Sequence, residues 1–285
     1  MFKKILFPTD FTEEAKTELS CITSIPGIKE IILFHVIRKY PMPMAESLAV
    51  EAAEHYLQKA EAYIATLNPD IFVTLDETTS TDITGAILEK AEEYGVNLIV
   101  IHANIKGIMK GVLFSCVSSK VLCRISKINV MIMPNPLIDA LTGKMFKKFC
   151  PMIFSRILCP TNFTEFSIKT TALAGSMNSA GEVILLHVVQ KIESGNDSGQ
   201  AVATAELRIK ALCDELTALG IKTRSIIVTG KPETEIPRIA QAEDVSLIWM
   251  RSTAKGCLHD FFFGSMVHEV VMNSTRPVIV IRSYT

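Results

Sequence analysis

Nothing in the 285-residue sequence approaches the eighteen or so consecutive apolar residues that a membrane-spanning helix requires, which predicts a soluble protein with no membrane partner. An excess of either charge is missing as well. Lysine and arginine number 29 against 30 aspartates and glutamates, so the net formal charge is −1 and no overall attraction draws the chain to a phosphate backbone; nucleic acid is not an expected partner. The seven cysteines (Cys21, Cys116, Cys123, Cys150, Cys159, Cys213, Cys257) never fall into a C-x-x-C pair, which argues against a zinc or dithiol site. Most of them read as small buried hydrophobes in a reducing compartment. The opening MFKKILFPTDF has too few apolar residues between its lysines and Pro8 for a signal-peptide core, so a cytoplasmic protein is expected. No G-x-S-x-G, H-E-x-x-H, Walker loop or repeated pair of carboxylates is found, and the chain is expected not to be an enzyme, with slow nucleotide hydrolysis as the outer bound.

What the sequence does contain is itself, twice. ILFPTDFTEEA (Ile5 to Ala15) returns as ILCPTNFTEFS (Ile157 to Ser167), and IILFHVI (Ile31 to Ile37) returns as VILLHVV (Val183 to Val189), both displaced by 152 residues. ILEKAEEYGVNLIVI (Ile87 to Ile101) matches IPRIAQAEDVSLIWM (Ile236 to Met250) at a displacement of 149. Between the copies, Pro134 to Met152 holds three prolines and a glycine without sustained periodicity and reads as a connector. The expected organisation is a domain at 1–134, a linker at 135–152 and a second domain at 153–285, each of a size that buries a substantial core.

Within the first copy, short apolar β-rich runs (Lys4 to Phe7, Glu30 to Ile37, Ile71 to Leu75, Leu98 to His102, Val130 to Met133) alternate with helical stretches over Thr12 to Ser24, Met44 to Leu67 and Thr84 to Tyr94. Asp10 and Glu13 have the spacing of a capping box, and Gly95 suits a helix C-terminus. Such βαβα alternation with uniformly apolar strands predicts an α/β fold: two tandem doubly wound, Rossmann-like domains, each with a five-stranded parallel sheet.

These pieces, in this order and twice over, resemble the universal stress protein family: the opening strand with Pro-Thr-Asp (Pro8, Thr9, Asp10), the second strand ending in His-Val (His35, Val36; His187, Val188), the fourth strand NLIVI or SLIWM, and the closing FFFGSMVHEVVMNSTRPVIVI (Phe261 to Ile281). The resemblance, which extends to the wider adenine-nucleotide alpha hydrolase-like group, implies a site for ATP or AMP and no metal. Relatives that bind ATP carry Gly-x-x-Gly, nine residues, then Gly-Ser or Gly-Thr, a turn whose backbone N–H groups close on phosphate oxygens ahead of a helix N-terminus. In the second copy the motif positions are Arg251, Ala254, Gly264 and Ser265; in the first they are His102, Ile105, Ser115 and Cys116, with every glycine gone. The family's ribose contact falls on Pro8, Thr9 and Asp10 in one copy and on Pro160, Thr161 and Asn162 in the other, and its adenine contact on the backbone at Val36 and Val188. Adenine-nucleotide binding is therefore expected in the second copy before the first, with Arg251 either pairing with phosphate or plugging the turn.

The resemblance further implies an internal pseudo-dimer of the two repeats through Asn129 to Pro134 and Pro277 to Ser283, a homodimer beyond it, and a protein partner that the sequence does not name. The competing reading is a stress-response interaction module that has lost its nucleotide. His35 and His187, at the ends of apolar strands, read as packed core histidines rather than bases. Glu193 to Gln200 reads as a surface loop, and Phe261 to Phe263 as packing beneath the final turn.

Overall fold

The computed structural model describes residues 2–103, 117–134, 152–177, 181–190, 198–251 and 265–282. They form two compact units, one built from residues up to Pro134 and the other from Met152 to Ile281. The first runs β1 (Lys4–Pro8), α1 (Glu13–Ile22), β2 (Glu30–Arg38), α2 (Pro43–Leu67), β3 (Phe72–Ser80), α3 (Ile83–Glu93), β4 (Leu98–Ala103), α4 (Val117–Arg124) and β5 (Asn129–Pro134). The second runs β6 (Arg156–Pro160), α5 (Glu165–Met177), β7 (Glu182–Val189), α6 (Ser198–Ala218), β8 (Thr223–Thr229), α7 (Pro232–Ala242), β9 (Leu247–Arg251), α8 (Ser265–Asn273) and β10 (Val278–Ile281).

Strand order is β3-β2-β1-β4-β5 in the first unit and β8-β7-β6-β9-β10 in the second, all parallel. Ile5, Leu6 and Phe7 of β1 and Ile157, Leu158 and Cys159 of β6 are fully or almost fully buried, as strands covered on both faces must be. α1 packs with α2 and α3 with α4, while α5 packs with α6 and α7 with α8, the paired helical layers of a doubly wound fold. Trp249 anchors the second core: it is buried, its Nε1 donates to the Thr170 carbonyl at 2.9 Å, and Phe154 meets its ring edge-on.

One local expectation needs correction. The N-cap of α1 is Thr12, not Asp10: Thr12 Oγ1 accepts from Ala15 N at 3.2 Å, while Asp10 Oδ1 accepts from Thr12 N and Thr12 Oγ1 one step earlier. Cys21 is disulfide-bonded, whereas Cys159 is buried, with its thiol pushed far up by burial, and Cys123 and Cys213 are half-buried. Gly95 does follow α3 at φ +61°, a conformation a side chain would strain.

Thr12→Ala should cost about 1 kcal/mol of unfolding free energy. Glu13→Ala should stay within about 0.5 kcal/mol, as for an ordinary surface position. Urea titrations of the two variants check this; equal losses would restore the capping box.

Candidate functional site

Prolines open the site in each unit. Along β1 the even residues face β4, as the bond from Asn97 N to Lys4 O shows, and pairing with β4 ends at Leu6↔Ile99. The next residue on that side is Pro8, which has no N–H to continue the ladder. The second unit repeats this: Ser246 N donates to Arg156 O, pairing of β6 with β9 ends at Leu158↔Ile248, and Pro160 follows. The strands part where strand order reverses about β1 and β6, the topological switch point at which open α/β sheets bind ligands.

β1 also stops short of β2. Its pairing ends at Pro8↔Phe34, closed by Thr9 N donating to Phe34 O, while β2 continues to Arg38. Because alternate residues of a strand face opposite neighbours, the N–H and carbonyl of Val36 point past the end of β1 into the crevice. Val188 does the same in the second unit, since Leu186 O accepts from Thr161 N on one side and Val189 O from Gly230 N on the other. Each crevice thus offers one backbone donor and one acceptor.

The turn after β1 is held by His35. Its Nδ1 lies 2.8 Å from the Thr9 carbonyl, so that nitrogen carries the proton. Phe11, at φ 62°, lays its ring 4.4 Å from the imidazole, and Tyr56 stacks behind it. The second unit has the same arrangement in His187 Nδ1 to Thr161 O (2.8 Å), Phe163 at φ 61° and a ring separation of 4.5 Å, with Arg208 in place of the tyrosine, its guanidinium 4.7 Å above Phe163. The expectation of packed, structural histidines holds, although both are half-buried rather than core.

A cavity of about 530 Å³ fills the first crevice. Pro8, Thr9, Asp10 and Val36 line it, together with Glu18, Arg38 and His102. Glu18 and His102 form a pair: His102 Nδ1 donates to Glu18 Oε1 at 2.5 Å, and Glu18 is buried. Burial, only partly offset by His102, pushes the Glu18 carboxyl up. Burial opposes the charge of His102, but its bond to Glu18 and the carboxylates of Glu18, Asp10 and Glu14 outweigh this and raise its pKa. Glu18 Oε2 has no hydrogen-bond partner among the described residues.

The second cavity, about 650 Å³, is lined by Pro160, Thr161, Asn162, Val188, Gln190 and Arg251, among others. Arg251 ends β9 with its guanidinium 4.2 Å above the Phe166 ring. A smaller hollow of about 480 Å³ shares Asn162 and His187 with it and adds Arg208. Among the described lining residues of these two cavities arginine is the only charged type, and with the free backbone of Val188 this donor set fits a phosphate-bearing ligand. The described wall of the first cavity instead sets two carboxylates, Asp10 and Glu18, beside Arg38 and His102.

The structure brings nine of the twelve expected site residues to the two cavities. Ser265 begins α8, whose next residue, Met266, lines the second cavity; Ala254 and Gly264 lie outside the described residues, as do the first-copy positions Ile105, Ser115 and Cys116 and the run Phe261 to Phe263. Glu18 was not foreseen, and neither were Phe11 and Phe163. Among the described residues no group of three or more side chains is disposed to hold a metal ion, and no helix is long and apolar enough to cross a membrane.

A model of the universal stress protein family matches residues 1–134 and again 154–282. Universal stress protein MJ0577 of Methanocaldococcus jannaschii is 28% identical over 157 residues, covering 46% of this chain and 96% of that protein. Of solved structures, a universal stress protein from Archaeoglobus fulgidus superposes over 98% of this chain and 96% of its own at a TM-score of 0.75 and 21% identity. Protein PA1789 of Pseudomonas aeruginosa does so over 98% and 92%, with a TM-score of 0.64 and 15% identity. At these identities the two structures establish the shared fold.

The raised pKa of His102 means that the folded chain holds this proton more tightly than the unfolded one. The resulting stability is present in full below about pH 6.5 and is lost as pH rises through the folded value. Proton NMR titration should place the His102 midpoint above that of a free imidazole, and Glu18→Gln should lower it; an unmoved midpoint would separate the pair.

Proposed function

Because the chain belongs to the universal stress protein family through both of its halves, we propose that it is a tandem regulatory module that binds adenine nucleotide, ATP or AMP, and that the second copy holds the better phosphate site. The observation that supports this most is the pairing, within one switch-point cavity, of the free backbone of Val188 with the guanidinium of Arg251. A purine edge needs one donor and one acceptor in line, and Val188 offers both. Thr161 and Asn162, at the mouth of the crevice, stand where a ribose follows the base. Arg251 then meets the phosphates together with the N-terminus of α8 at Ser265, and the sequence positions Ala254 and Gly264 belong to the same proposed phosphate site. In the first copy, Pro8, Thr9, Asp10 and Val36 repeat the base and ribose end.

The role is binding rather than catalysis, and it is a cytoplasmic one. The two histidines nearest the ribose position, His35 and His187, give their Nδ1 protons to backbone carbonyls and lie against phenylalanine rings, so they fix turns instead of shuttling protons. Occupancy would bias the loops around the crevice, and a partner protein would read that bias. The nucleotide-free reading draws on one observation, the His102 and Glu18 side chains at the place of the phosphate turn, and applies to the first copy alone.

Titration of the purified chain with ATP and AMP should show saturable binding below millimolar concentration. Arg251→Glu should weaken ATP by about tenfold or more, a loss of about 1.4 kcal/mol. Absence of saturable binding in the parent chain, or unchanged binding in the variant, would overturn the assignment.

A further inference from the structure

The two cavities share a backbone and differ in charge. Asp10, Glu14 and Glu18 stand four residues apart, and one displacement of 152 residues carries them onto Asn162, Phe166 and Thr170, all uncharged. His102 at the end of β4 becomes Arg251 at the end of β9. On the base side, Glu77 opposite His35 becomes Ile227 opposite His187. Every acidic group that acts on the first cavity from β1, α1 or β3 is therefore neutral in the second. Among the described lining residues the one change in the other direction is Arg38, which lines the first cavity and becomes Gln190; it lies exposed at the end of β2, across β1 from His102.

We propose that the first cavity takes an uncharged nucleoside and turns away its phosphorylated form, so that the two copies divide their ligands by charge. This rests on the reading of both crevices as adenine-ligand sites. Three observations support it. Glu18 is 1% exposed, lines the cavity, and leaves Oε2 without a hydrogen-bond partner among the described residues, so a buried acceptor awaits a donor. Nucleoside hydroxyls and an exocyclic amine donate; an ionised phosphate only accepts. His102 is already hydrogen-bonded to Glu18, and among the described residues Asp10 brings a second carboxylate to the cavity wall. The volume of about 530 Å³ holds a nucleoside, and Phe7, Phe34, Ile83, Ile87 and Ile101 supply apolar wall for its base.

Calorimetric titration of the full chain with adenosine and with AMP tests this, using the double substitution Arg251→Glu and Ala201→Trp, which removes the phosphate contact and adds bulk at a lining position of both second-copy cavities, to silence the second copy. That variant should still bind adenosine at a single site and prefer it to AMP by about tenfold or more. Adding Asp10→Asn with Glu18→Thr, the second copy's own residues, should reduce the preference to about threefold or less. Glu18→Gln, which keeps the shape and an acceptor for His102 but puts an N–H donor in place of the Oε2 acceptor, should move the preference the same way, and far-UV circular dichroism confirms that each variant is folded. Equal binding of AMP and adenosine by the double variant overturns the proposal, as does a preference untouched by the Glu18 substitutions. If the parent binds AMP but the double variant binds neither ligand, the division by charge fails and the nucleotide reading stands. If the parent binds neither, the nucleotide reading itself falls.

Discussion

A missing N–H governs both halves of this chain. Pro8 and Pro160 occupy the position at which β1 and β6 would next donate to β4 and β9, and the ladder ends there in each unit. At that gap the central strands part, where the strand order reverses. The carbonyls of Thr9 and Thr161 then accept from a histidine, and the chain turns through Phe11 or Phe163 in the left-handed region. Bulky residues seldom adopt that conformation; ring contact with the imidazole and the threonine and Asx hydrogen bonds around the turn offset its strain.

From this follows a separation of tasks. The group that faces a base is main chain, set by where β1 ends relative to β2, and is indifferent to side-chain identity. The groups that face the far end of a ligand are side chains on α1, β4, α5 and β9, free to change without altering the fold. A duplicated domain can therefore keep its geometry and change its chemistry, as Asp10 against Asn162 and His102 against Arg251 illustrate.

Much of the fold was legible in the sequence because it depends on patterns that sequence displays directly: apolar runs of strand length, helices between them, and the offset that ties the two copies together. The first-copy strands fall within a few residues of their expected bounds, β3 excepted, which runs on to Ser80. That extension is polar and half-buried, and so carries no apolar signal. The cap of α1 was misassigned because Asp10 and Thr12 are both good capping types two residues apart, and only the backbone turn at Phe11 decides between them. Phe11 itself gave no sign, since a left-handed phenylalanine is against its propensity. Nine of the twelve site residues line the cavities because their positions follow from strand ends, whereas the phosphate turn of either copy falls outside the described residues.

Glu18 was missed for a different reason. In a single copy it is one more acidic residue on a short helix, indistinguishable from Glu13 or Glu14 until burial is known. The signal lay in comparing the copies: three acids at intervals of four, one face of a helix and its entry, all matched by neutral residues at the same offset. A solvated face would have no reason to lose its charge in register. A buried carboxylate held by a histidine at the bottom of a cavity does, because its cost is justified only by what the cavity admits, and a copy that meets a different ligand is released from it.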